Sequence, residues 1–205
     1  MQTKTYESLV ERIEALAGVD FQTNETPRIK SLINRRAKQA YRASLFWPRF
    51  LVVGEERTVS NRLIPFEEAG KDNIDTFIQI HKTQPFNRNS VVEFNFYVTN
   101  SGATVIDLST SETSVFVTYQ KQLTDTYGDS GGEESDVPDE WFEYIAYGAY
   151  ADFLRMDEQQ SKAMAEEAFA NQELMLELRR IDAQHTTNFI GRRIATHSQS
   201  QGRNY

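Results

Sequence analysis

The chain has 205 residues, 39% of them apolar and 25% charged, a balance that suits a globular protein of one ordinary domain or two compact parts. It contains no cysteine, which excludes disulfides and thiolate metal sites. A net charge of −8 argues against a freely diffusing nucleic-acid binder, and no run approaches the ~18 apolar residues of a membrane span. The opening MQTKTYESLVERIEAL also lacks the continuous apolar core of a signal peptide, so the expectation is a protein made and kept in a cytosol.

The first predicted element is a helix over 5–17. Leu9, Ile13 and Leu16 recur at spacings of about four and three residues, and Gly18 supplies a stop. A second helix starts at Thr26-Pro27, with Ile29, Leu32, Ile33, Ala37, Ala40, Tyr41 and Leu45 as its apolar stripe and Pro48 as its end. Arg28, Lys30, Arg35, Arg36, Lys38, Arg42 and Arg49 fall mainly between those positions, with no acid among them. That face can make loose phosphate contacts. It has neither the aromatic interleaving nor the turn-helix partner that base reading requires.

From Phe50 the grammar changes to short β-branched and aromatic segments: FLVV, DTFIQIH, VVEFNFYV, ATVIDL and SVFVTYQKQ. Turn formers separate them, so 49–123 reads as an antiparallel sheet or small sandwich of about five or six strands. Residues 124–135 form an acidic, Gly-rich linker. A third helix follows near Pro138, with Phe142, Ile145, Ala149, Phe153 and Met156 as its stripe. After a break at Met156-Asp157-Glu158-Gln159, a fourth helix runs to about Ile181. Met164, Ala168, Met175 and Leu178 lie on one of its faces, and Ala165, Phe169 and Leu176 on another; a helix apolar on two sides usually contacts two things. Residues 183–205 read as an extended C-terminal arm with spaced apolar anchors, able to order on a partner. The fold class expected is α+β: a core of about four helices from 1–48 and 136–182, with the β segment inserted between them.

Catalytic signatures are few. Gly128-Asp129-Ser130-Gly131-Gly132 is similar to the nucleophile loop of chymotrypsin-like proteases, and His81 and Asp107 precede it in the family's order. The context departs from that family. Glu133 stands where the family has proline, a helix follows instead of strands, and the stretch from Asp107 to Ser130 is too short for a second barrel. There is no Walker loop, dinucleotide fingerprint or HExxH, and the acids from Asp125 to Asp139 lack the alternation of a Ca2+ loop. No enzyme activity, cofactor or metal is expected.

Two stretches carry a resemblance that covers most of the chain. DVPDEWFEYIAYGAYADFLRMDEQQSKAMAEEAFANQELMLELRR, residues 136–180, and the β segment from LIPFEEAGKDNIDTFIQIHKTQPF to SVFVTYQKQL, residues 63–123, look like the helix pair and β insertion of head-to-tail adaptor proteins of tailed bacteriophages, of the short-tailed type. The resemblance is one of pattern and contains no diagnostic motif. It implies a structural virion protein at the head-tail junction, assembled in the host cytoplasm. Such adaptors form a ring, typically twelve-fold, under the portal protein; a tail nozzle or gatekeeper docks below, and double-stranded DNA passes through without being read.

On this resemblance the C-terminal arm carries the portal contacts, at Phe189, Ile190, Arg192, Arg193, Ile194, Arg203 and Tyr205. Candidate inter-subunit residues are Arg35, Arg36, Glu133, Glu134, Met164, Ala168, Phe169 and Met175. The alternatives are another neck or head-completion protein, or a non-enzymatic assembly module outside the virion.

Overall fold

The computed structural model describes the backbone of residues 3–85, 92–109, 112–124, 127–128 and 137–201, and the side chains of 4–184 within those ranges. In chain order the elements are β1 (Thr3–Lys4), α1 (Tyr6–Ala17), α2 (Thr26–Ala43), β2 (Leu51–Thr58), β3 (Leu63–Pro65), β4 (Ile74–His81), β5 (Phe96–Thr99), β6 (Gly102–Val105), β7 (Ser114–Lys121), β8 (Val137–Pro138), α3 (Asp139–Met156) and α4 (Gln160–Gln201). The fold is α+β. It divides into a helical unit, Met1–Ser44 with Asp125–Tyr205, and a β unit, Leu45–Thr124. The β unit is thus an insertion between two helix pairs, with edges within a few residues of those read from the sequence.

In the helical unit, Thr5 caps α1 by accepting from the Ser8 N–H at 3.2 Å. At its other end Gly18 takes a left-handed conformation, φ 73°, and donates to the Glu14 carbonyl. Pro27 lies in the first turn of α2, as expected, with Glu25 rather than Thr26 at the N-cap. That helix ends at Ala43, short of Pro48, because Ser44 is extended and a turn closed by the Trp47 carbonyl takes over. Leu45, expected in the buried stripe, is therefore exposed. The sequence reading did not foresee β1 and β8, which pair antiparallel as Thr3 with Pro138 and Lys4 with Val137. Pro138 is the N-cap of α3, which starts at Asp139, in keeping with the expected start near Pro138.

The central element is α3. Trp141, Phe142, Tyr144, Ile145, Ala146, Gly148, Ala149, Tyr150, Ala151, Asp152 and Leu154 are all buried, so its apolar surface runs nearly all round. A helix of that kind needs neighbours on several sides, and α1, α2 and α4 supply them. Met156, assigned to the stripe from its spacing, is 46% exposed. Helices α3 and α4 meet at the expected break, where Glu158 takes a positive φ of 61°.

The segment expected to be an extended arm continues α4 instead, which is helical to Gln201. No proline interrupts residues 160–201, and Gly191 is the lone glycine there. A helix already nucleated on α3 extends at one hydrogen bond per added residue. With 42 residues it spans about 63 Å.

In the β unit, β7 is central, flanked antiparallel by β2 and β4; a second sheet has the order β3-β6-β5. Both sheets feed one core: Val59, Ile64, Ile74, Phe77, Ile80, Ala103, Val105, Leu108, Val115, Val117 and Tyr119. Val115, Val117 and Tyr119 are fully buried at alternate positions of β7, which is the face their spacing predicts. The short β3 was missed because three residues carry no legible alternation. Among the described residues of VVEFNFYV, 92–98, the strand begins at Phe96, preceded by an isolated bridge between Glu93 and His81.

Candidate interaction surface

Of the protease-like trio, two residues fall among the described ones. His81 is buried at the end of β4, where it pairs with Phe116 of β7, while Asp107 is exposed and Ser130 lies outside the described residues. No group of three or more His, Asp or Glu side chains among the described residues is placed to hold a metal ion. Among the described residues no helix is long and apolar enough to cross a membrane.

Where charge is buried, it is structural. In the helical unit Asp152 is 4% exposed on α3 and accepts from Arg36 of α2 through Nε and Nη2, both at 2.8 Å. It also meets Arg35 at 2.5 Å and Arg155 at 3.1 Å. Glu167 of α4 completes the cluster, 3.5 Å from Arg36 and paired with Arg155. Burial alone would raise the Asp152 carboxyl; hydrogen bonds and charge from Arg36 and Arg35 outweigh it and hold the pKa below the ordinary value. Gly148 makes room: a Cβ there would lie 2.9 Å from Arg36 Cδ and Nε.

This changes the status of Arg36. Expected at an inter-subunit surface, it is 4% exposed and committed to Asp152 within its own chain. An arginine so buried is retained by its internal partner, because exposure to a neighbour would strand that carboxylate. Arg35 remains 56% exposed while touching the same aspartate.

A comparable cluster ties the β unit. Arg57 is fully buried and donates to the Asp72 carbonyl at 2.6 Å and to the Tyr119 hydroxyl, which in turn donates to Glu55 at 2.8 Å. Burial and the bond to Glu55 push the Tyr119 pKa up, so it stays a neutral donor. Arg35, at the rim of the first cluster, also lines a groove along α2.

The outer surface of α4 is different in kind. Ala163, Ala170 and Ile181 are buried on the side facing α3. At about 100° per residue, Met164, Ala168, Met175 and Leu176 project away from that side, and Phe169 stands at its edge, beside Tyr147 of α3. Met164 is 68% exposed, Phe169 54%, Met175 55% and Leu176 49%, and Ala168 is exposed with them. Phe169 makes one ring contact, with Tyr147 at 5.9 Å. The two faces distinguished by spacing in the sequence are thus one broad exposed apolar strip.

The cationic face of α2 is the other unusual surface. Pro27, Lys30, Ser31, Asn34, Arg35 and Lys38 line an open groove of ≈ 580 Å³. Asn34 also fixes the chain ahead of the acidic linker: its Oδ1 accepts from the Tyr127 N–H at 2.9 Å and its Nδ2 donates to the Tyr127 carbonyl at 3.0 Å. Tyr127 is fully buried, although its acidic, polar surroundings read as loop. A lone aromatic in that company was the signal available. Gly128 next to it packs against the Tyr6 ring with φ 78°.

Glu133 and Glu134 lie outside the described residues. For Phe189, Ile190, Arg192, Arg193 and Ile194 the backbone is helical and the side chains lie outside the described residues, while Arg203 and Tyr205 lie outside them altogether. No protein-family model matches this chain, and no curated protein matches it.

Proposed function

We propose that this protein is a structural, non-enzymatic subunit of the head-to-tail adaptor of a tailed bacteriophage. In this reading it assembles as a ring, twelve-fold by the resemblance, and binds the portal through residues 183–205. A tail nozzle docks below, and DNA passes along the channel. The observation that carries the reading is the exposed apolar strip of α4, Met164, Ala168, Phe169, Met175 and Leu176, outside the face buried on α3. Solvent-exposed apolar side chains contiguous along one helix face mark a contact with another protein. The inter-subunit residues are then Arg35 and this strip.

The helical state of the chain beyond Ile181 modifies the assembly argument. An extended arm that orders on docking loses about 1–2 kcal/mol of backbone entropy per residue. A segment already helical loses less, so single-arm binding can be stronger and less dependent on the ring's multivalency. The test is a truncation after Ile181, together with Phe169→Ser/Leu176→Ser in the full chain. The truncation is expected to fold and to lose portal binding. The double substitution removes about 3 kcal/mol of apolar burial, roughly 100-fold in contact affinity, and should leave single subunits where the parent forms rings in electron micrographs. Portal binding by the truncated chain, or rings from the double variant, would refute the corresponding contact.

A further inference from the structure

We infer that the exposed cationic face of α2 binds the phosphate backbone of duplex nucleic acid. The inference deepens the adaptor reading, on which it rests only for the kind of nucleic acid encountered. Lys30, Asn34, Lys38 and Arg42 recur every fourth residue and so form one line along the helix, rising about 6 Å per step and about 18 Å in all. Ser31 and Arg35 flank that line, and no acid occurs between Thr26 and Ala43. Lys38, Arg42 and Arg35 are exposed and Lys30 is half-buried. Lys30, Arg35 and Lys38 line the open groove, and Arg42 lies one turn beyond Lys38 on the same helix.

The composition of the groove selects among polyanions. Protein partners are held by central aromatic or large aliphatic anchors, and here the lining offers Pro27 as its one apolar residue. Single strands are held by aromatic stacking, and no aromatic lines the groove. Cations in a row with a hydroxyl beside them are what phosphate contacts use; the Asn34 amide, held by Lys30 and Tyr127, serves only to shape the groove. Such contacts position a duplex without reading its bases. The chain's net charge of −8 does not cancel this, because at physiological salt charges more than about 8 Å away are largely screened.

The experiment is a fluorescence-anisotropy titration of a labelled duplex with the full chain at several salt concentrations. It is repeated with Lys30→Ala/Lys38→Ala/Arg42→Ala, with Lys38→Ala alone, and with poly-glutamate as competitor. Contacts from Lys30, Arg35, Lys38 and Arg42 predict a log–log salt slope of about −3.6, a roughly 150-fold loss of affinity between about 50 and about 200 mM salt. The triple variant should fall to a slope of about −0.9, and Lys38→Ala to about −2.7. The single variant, at an exposed position, keeps the inference testable if the triple variant does not fold by circular dichroism. Absence of duplex binding at about 50 mM salt, or a slope unchanged in the variants, overturns it. So does competition by poly-glutamate equal to duplex charge for charge, which would assign the face to an acidic protein segment. Light scattering on the same samples separates the two readings: duplex binding without rings sinks the ring, and rings without duplex binding sink this inference.

Discussion

Replacing Asp152 by alanine removes the acceptor for Arg36 Nε and Nη2, each at 2.8 Å, and the contacts to Arg35 at 2.5 Å and Arg155 at 3.1 Å. Arg35 and Arg155 reach solvent and can rehydrate. Arg36, with 5% of its side chain exposed, cannot, and its remaining carboxylate is Glu167 at 3.5 Å. Breaking a buried pair from one side costs about 3–5 kcal/mol, because the other charge is left uncompensated. Glu167 offsets part of that, which puts the expected loss near the lower end, about 3 kcal/mol. For a chain of this size the loss lowers Tm by roughly 6–12 °C.

Thermal and urea unfolding followed by helix circular dichroism measure it directly. A companion variant, Arg36→Met/Asp152→Leu, removes both charges and should be distinctly more stable than Asp152→Ala, since apolar replacement of a whole buried pair is often near neutral. Acid titration supplies an independent readout. A carboxylate whose folded pKa lies below its unfolded value stabilises at pH above the unfolded value, and that contribution is lost as pH falls through the folded one. The parent should therefore lose stability below about pH 4 more steeply than Asp152→Ala does. A loss under about 1 kcal/mol for Asp152→Ala, or parallel acid limbs, would refute the claim that this cluster holds α2, α3 and α4 together.

Gly102→Ala should unfold the β unit or cost it more than about 3 kcal/mol, because a Cβ at φ 143° would sit 2.0 Å from the Ile64 carbonyl oxygen; Tyr and Trp near-ultraviolet dichroism against helix signal reads this out. Asn34→Ala loses both bonds to Tyr127, about 1–2 kcal/mol together, and should speed limited proteolysis between residues 125 and 136 and lower Tm by roughly 2–8 °C.

The legible parts of the fold were those with long, regular signals. Leu9 and Ile13, the Thr26-Pro27 start, the alternation of Val115, Val117 and Tyr119, and the break before Gln159 each state a local geometry that tertiary packing then keeps. What was not legible depends on contacts distant in sequence. Pairing of Thr3 with Pro138 joins segments too short to show a period. Burial of Tyr127 depends on Asn34, and the end of α2 at Ala43 on the turn at Trp47. The C-terminal segment was misread because Thr186, Thr187 and Asn188 are poor helix formers in isolation, whereas a helix already anchored on α3 carries through them. On α4 the spacing separated two apolar faces, one of them expected to pack within the chain; residues of both are exposed, because the side on α3 is made by Ala163, Ala170 and Ile181 instead.

Arg35 and Arg36 show how one position along a helix divides a structural charge from an available one. They are adjacent in sequence, and both looked like surface groups for a neighbouring subunit. A step of about 100° carries Arg36 into the space above Gly148, between α2 and α3, and leaves Arg35 at the rim. A charge-reversal swap pairing Arg35 and Arg36 with Glu133 and Glu134 would therefore confound two effects, since reversing Arg36 places a carboxylate against Asp152 and unfolds the helical unit whatever the assembly does. The informative swap uses Lys38 with Glu133 or Glu134, because Lys38 is exposed and makes no ion pair among the described residues. If subunits join through these charges, either single reversal weakens ring formation and the double reversal restores it, with Tm constant throughout. If α2 contacts a duplex, Lys38→Glu weakens duplex binding and no change at Glu133 or Glu134 restores it.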